Sequence, residues 1–173
     1  MQLDQRIAPC FHESDGAWPI LICLLGSFRL LKCDQPVALR GGGKAEALLC
    51  YLGLRYQERV PRDAILSALW PAGDPVLAGQ SLNSLIYSLN KLLGDATGGA
   101  PPVLHADGCY RLNAEAGVQI DLACFEALVR EGDRCHRAND LAGAAEAYRR
   151  AADLYRGDLW ACPDAQVIVE RER

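Results

Sequence analysis

Residues 60–112 constrain the fold more than any other stretch of the chain. They read as a short helix ending in Leu69-Trp70-Pro71, an amphipathic helix over 81–94, and two short β runs around Asp107-Gly108. In the long helix, Leu82, Leu85, Ile86, Leu89, Leu92 and Leu93 recur at helical spacing and form one apolar stripe. Asp74-Pro75 supplies an N-cap and a first-turn proline, so this helix can start as early as Val76. Gly94 stands where a left-handed glycine would end it. The opposite face carries Gln80, Ser81, Asn83, Ser84, Tyr87, Ser88, Asn90 and Lys91. Taken alone, such a helix is either a core helix with a solvated polar face or one that offers donors and acceptors to a partner.

The flanking segments narrow the choice. Residues 21–39 alternate weakly and are interrupted by Gly26 and by Asp34-Gln35-Pro36, which predicts two or three short antiparallel strands. Phe28 and Leu30 would share one face, with Arg29 and Leu31 on the other. Arg40-Gly41-Gly42-Gly43-Lys44 then precedes a helix over 45–56. A phosphate-binding loop would need glycine at position 38 and Ser or Thr at position 45, and the chain has Ala38 and Ala45. Those glycines therefore read as a turn. Pro61 is expected to open the next helix, with Ile65, Leu66, Leu69 and Trp70 inward. Trp70 is expected to be largely buried against the 81–94 helix. Gly98, Gly99, Pro101 and Pro102 break the chain before a hairpin whose turn is Asp107-Gly108.

Helix, turn, longer helix, hairpin is the order of a winged helix, in which the second helix lies in a DNA groove and the hairpin grips the backbone. The chain resembles the N-terminal half of the SARP-like bacterial transcriptional regulators. These join an OmpR-type winged helix to a bacterial transcriptional activation domain of tetratricopeptide-like helices. The resemblance rests on Leu24-Leu25-Gly26-Ser27-Phe28-Arg29, the helix over 44–54, Val60-Pro61-Arg62-Asp63, Ala68-Leu69-Trp70-Pro71 and the 81–94 helix. It continues through Tyr110-Arg111-Leu112-Asn113, Ile120-Asp121-Leu122, Phe125-Glu126 and the stretch 151–159, covering roughly residues 20 to 173.

The resemblance implies an α+β fold. A winged helix-turn-helix with an N-terminal antiparallel sheet and a C-terminal β-hairpin wing would be followed by tetratricopeptide-like α-helices. The implied organisation is a flexible lead-in over 1–18, a DNA-binding domain over 19–117, and the start of an activation domain over 118–173, truncated at its end. The implied function is sequence-specific binding of double-stranded DNA for transcription regulation. Asn83, Ser84, Tyr87, Ser88 and Lys91 would reach bases or phosphates, joined by Arg62 and by Arg111 on the wing. The C-terminal helices would contact a second subunit, making a homodimer, or RNA polymerase. The competing reading is a protein-interaction module, with a degenerate winged helix that does not bind DNA.

Charge bears on that choice. Residues 1–117 hold 10 Lys and Arg against 11 Asp and Glu, and residues 118–173 hold 8 against 11. Recognition helices in this family carry several arginines, whereas 87–93 offers the single cation Lys91. DNA affinity depends on phosphate neutralisation, so a near-neutral domain needs its cations clustered; Arg55, Arg59, Arg62, Lys91 and Arg111 are the candidates. Weak binding, binding that needs a dimer, and loss of DNA binding all stay open on charge alone.

The rest of the chain sets outer bounds. Half of its 173 residues are hydrophobic and 23% are charged, ordinary globular material for one domain and a partial second. No apolar run approaches the ~20 residues of a membrane helix, and the first residues carry acids and no secretion-signal core. No membrane partner and a cytoplasmic location are therefore expected. The eight cysteines include no C-x-x-C pair and read as unpaired thiols. Cys10 with His12 and Cys135 with His136 are too far apart in sequence to argue a metal site, and a redox-sensing thiol at Cys109 in the hairpin ranks only a little above it. The three histidines lie in unrelated segments, and no nucleophile, base or paired-carboxylate set appears at motif spacing, so neither an enzyme nor a cofactor is expected. Residues 121–173 read as three helices: one capped by Asp121 with Leu122, Phe125, Leu128 and Val129 inward, an alanine-rich second after Asn139-Asp140, and a third from Pro163-Asp164.

Overall fold

The computed structural model describes residues 18–39 and 43–159. The expected lead-in up to residue 17, Cys10 with His12, and the third helix from Pro163 lie outside the described residues.

Two small sheets hold three helices between them, and a helical hairpin follows. Strand β1 (Ile20–Cys23) pairs antiparallel with β2 (Arg29–Lys32), with Ile20 opposite Lys32 and Cys23 opposite Arg29. β2 turns through Cys33 and Asp34, both with positive φ, into the two-residue strand β3 (Gln35–Pro36). Two successive left-handed residues make the tight hairpin turn whose twist suits paired strands. The break expected at Asp34-Gln35-Pro36 is thus a turn one residue earlier, and Gln35 and Pro36 pair. Leu30 is buried and Phe28 packs beside it, as the alternation predicted.

Helix α1 (Gly43–Leu54) is buried nearly all round, including Ala47, Leu48, Leu49, Cys50 and Leu52. A helix without a polar stripe belongs in the middle of a core. Strand β4 (Val60–Pro61) comes next, and α2 (Arg62–Leu69) begins one residue after the expected start. Pro61 is extended, at φ −61 and ψ 144, and pairs opposite Cys109 at the sheet edge, where its missing N–H is tolerated. Helix α3 (Pro75–Leu93) is capped by Asp74, whose Oδ1 accepts from the N–H groups of Val76 and Leu77 at 2.9 and 3.0 Å. Leu82, Ile86, Leu89 and Leu93 are buried, while Leu92 at the stripe's edge is 38% exposed. Gly94 corrects an expectation. It stays right-handed, at φ −64, and the chain runs on through turns until Gly98 and Gly99 take positive φ.

β5 (Val103–Ala106) and β6 (Cys109–Leu112) form the expected hairpin, turning through Asp107 and Gly108 with positive φ at both. β4 adds to β6, giving the order β4-β6-β5. After a 3-10 turn (Ala114–Ala116), strand β7 (Val118–Ile120) returns to the first sheet, whose order is β3-β2-β1-β7. β7 runs parallel to β1, with Ile20 opposite Val118 and Ile22 opposite Ile120. The antiparallel N-terminal sheet therefore gains one parallel strand from much later in the chain. A parallel neighbour requires a long crossover, here α1 to α3 and the hairpin together.

Helices α4 (Asp121–Arg137) and α5 (Leu141–Leu154) pack as an antiparallel pair. Asn139 takes positive φ in the turn, and the Asp140 side chain accepts from the Gly143 N–H at 2.9 Å. Asp121 does not cap α4 as expected. Ile120 occupies the cap position with no side-chain bond, and Asp121 points its carboxylate into the sheet.

Candidate nucleic-acid interface

The exposed side of α3 is where most of the expected contact residues meet. Asn83, Ser84, Tyr87, Ser88 and Lys91 are all exposed, Tyr87 at 69%. They share one side because α3 is rotated by its buried stripe, and Asp74 with Pro75 sets its start. The Ser88 hydroxyl donates to the Ser84 carbonyl oxygen at 2.8 Å, which leaves its oxygen outward as an acceptor. Asn90 behaves differently. Its Nδ2 donates to the Val103 carbonyl and its Oδ1 accepts the Val103 N–H at 2.9 Å, fastening α3 to β5. The signal was available in sequence: Asn90 lies four residues after Ile86 and one after Leu89, at the border of the apolar stripe.

The two expected arginines go to different places. Arg62 is half-buried at the start of α2; its N–H donates to the Gly108 carbonyl at 3.0 Å, and its guanidinium covers Gly79 of α3. A side chain at Gly79 would overlap that guanidinium. Arg62 thus joins α2, the hairpin tip and α3. Arg111 lies on the hairpin surface opposite Leu104, 3.8 Å from Glu115, and lines a cleft with Arg59, His105 and Cys109.

Four other cations are tied into the fold. Arg59 pairs with Asp107 at 2.8 Å and also donates to the Ala106 carbonyl, bracing the hairpin tip. Arg55 sits over the Tyr51 ring at 4.2 Å. Lys32 donates to the Leu92 carbonyl and pairs with Asp95 at 2.7 Å, and Lys44 donates to the Leu69 carbonyl at 2.8 Å. Each lysine answers an open carbonyl at a helix C-terminus. Lys32 also holds the Asp95 carboxyl below its usual range.

Sequence reasoning missed a groove along the N-terminal half of α3, lined by Trp70, Leu77, Ser81, Ser84, Leu85 and Lys44 among others. Val76 and Leu77 beside it are 68% and 62% exposed. Trp70 is partly buried and packs against the core, as do Leu66 and Leu85. It follows the last turn of α2 at φ −132 and ψ 60, which carries the chain off the helix toward Pro71. Ile65 and Leu69, also expected inward, are fully buried.

Comparison with known proteins places this geometry. Residues 120–173 match the bacterial transcriptional activator domain. The regulatory protein AfsR of Streptomyces coelicolor is 29% identical over 154 residues, covering 88% of this chain and 15% of AfsR. The regulatory protein DnrI of Streptomyces peucetius is 30% identical over 121 residues, covering 66% of this chain and 44% of DnrI. The chain is similar to the SARP-like regulators. A solved structure of Mycobacterium tuberculosis EmbR, in complex with a low-affinity phosphopeptide, superposes over 90% of this chain and 40% of that one. Its TM-score is 0.71 at 27% sequence identity. The chain thus spans less than half the length of each of these relatives. Among its described residues no helix is long and apolar enough to cross a membrane. Cys23, Cys33, Cys109 and Cys135 are free thiols; Cys33 is exposed and Cys109 half-buried.

Proposed function

We propose that this chain binds double-stranded DNA sequence-specifically as part of a cytoplasmic transcription regulator, with α3 in the major groove. The observation that carries the reading is the open polar side of α3. Asn83, Ser84, Tyr87, Ser88 and Lys91 stand exposed, while α4 packs against β1 and β7 and α5 packs on α4. Asn83 and Tyr87 would read base edges, and Lys91 and Ser88 would touch phosphate. Arg62 would hold α3 and the hairpin in one orientation, and the β5–β6 hairpin would act as the wing, with Arg111 on the DNA backbone. The division at 117 and 118 belongs to the same proposal, the activator domain serving RNA polymerase or a second copy of the chain in a homodimer.

One observation favours the competing reading. Val76 and Leu77 are exposed beside the Trp70 groove, a surface better suited to a protein than to phosphates. Fluorescence anisotropy with labelled duplexes from the DNA upstream of the chain's own gene separates the two. DNA binding predicts saturable association at 50 mM salt that weakens as salt rises. Absence of binding to any duplex at that salt would leave the interaction module standing.

A further inference from the structure

A buried carboxylate joins the helical hairpin to the N-terminal sheet. Asp121 is 2% exposed, and its Oδ1 and Oδ2 accept the backbone N–H groups of Leu24 and Leu25 at 2.7 and 3.0 Å. Oδ1 also accepts the Leu122 N–H at 2.8 Å. Leu24 and Leu25 directly follow β1, where the chain leaves the sheet and its N–H groups lose their strand partners. A buried N–H without an acceptor is costly, so the carboxylate finishes what the strand cannot.

Three further links cross the same seam. β7 pairs with β1. The chain after α5 comes back beside Gly26, whose N–H donates to the Asp158 carbonyl at 2.9 Å, and Leu25 bridges to Leu159. The Tyr56 hydroxyl after α1 donates to Glu126 of α4 at 2.7 Å. On the other side of the seam, the Leu24 side chain meets α1 at Gly53, where an added Cβ would come within 3.0 Å of it. α1 in turn packs on α2 and β6, and α2 on α3.

We infer that the Asp121 carboxylate, with these links, makes the helical hairpin and the N-terminal sheet one mechanical body. A force or ligand acting on α4 or α5 reaches β1, α1 and the helices beyond without passing a hinge. The boundary between the DNA-binding and activator regions is therefore a joint closed by side-chain and backbone bonds, and α4 is fixed in orientation relative to α3. The inference does not depend on DNA binding.

Hydrogen exchange on the whole chain, with rising denaturant, tests it. In the unaltered protein the amides of Leu24 and Leu25 should be protected, and the α4–α5 core amides should open together with those of α1. Asp121→Ala should speed exchange at Leu24 and Leu25 at least tenfold and let α4–α5 open before α1. Asp121→Asn keeps one acceptor oxygen and should fall between the two, which preserves the test if the alanine variant does not fold. If α4–α5 opens independently of α1 in the unaltered chain, or if neither substitution changes exchange at Leu24 and Leu25, the coupling is refuted.

Discussion

Helices α3 and α5 are both amphipathic, yet they bury opposite kinds of residue. α3 hides Leu82, Ile86, Leu89 and Leu93 and shows amides, hydroxyls and Lys91. α5 hides Ala144, Ala147 and Ala151 and leaves Leu141 at 62% and Tyr148 at 39% exposure. Large residues inside give α3 most of its stability from side-chain burial and free its other side for a polar partner. Small residues inside let α5 approach α4 closely enough for the Tyr148 ring to occupy the space over Gly132, while its hydroxyl donates to Asp133 at 2.6 Å. α5 therefore turns a charged side outward, where Arg149 pairs with Glu146 and Asp153. The two helices offer different partners different chemistry from one chain.

Breaking the contrast at its strongest point gives the largest expected effect. Leu82→Ala removes a fully buried side chain from α3 and should cost about 2–5 kcal/mol in a denaturant titration. Ala147→Leu should cost about 1–3 kcal/mol by overpacking the α4–α5 contact. A neutral outcome there would mean that α5 does not need small residues. Asp74→Ala, which removes the α3 cap, should cost about 1 kcal/mol and increase fraying of the first turn by amide exchange. Leu141→Ser, on the outward side of α5, should change stability by less than about 0.5 kcal/mol. Lys91→Ala should leave stability equally untouched while lowering the salt slope of DNA binding by about one.

Asp121 adds a test by pH. Burial raises its pKa, while the Leu24, Leu25 and Leu122 N–H groups and the charge of Arg29 act the other way. Cys23, whose thiol is also pushed up by burial, feels the same carboxylate. A folded pKa above the unfolded one means that the fold favours the protonated acid. Stability relative to Asp121→Asn should then be greatest below the ordinary aspartate range and fall as pH rises through the raised value. Thermal unfolding of both proteins at a series of pH values reads this directly, and a difference that grows with pH would reverse the assignment.

Much of the fold and most of the candidate face were legible in advance, for local reasons. A stripe at helical spacing, an Asp-Pro cap and an Asp-Gly turn are each determined by neighbours within a few residues. They marked α3, its polar side and the β5–β6 hairpin. Gly94 and Pro61 misled because each has more than one compatible local geometry, and packing chose between them. Asn90 and Arg62 looked like surface donors, and each instead finds backbone that lies near it only after folding.

The sequence by itself determined the periodicities, the turn chemistry and the family resemblance, since these depend on residue order and short-range sterics. Only the tertiary structure decided that Val118–Ile120 joins β1 in parallel, that Asp121 serves Leu24 and Leu25, and which cations remain outward on α3. The first two outcomes depend on contacts between residues about a hundred positions apart, where the free energy of burying a strand edge or a carboxylate outweighs local preference.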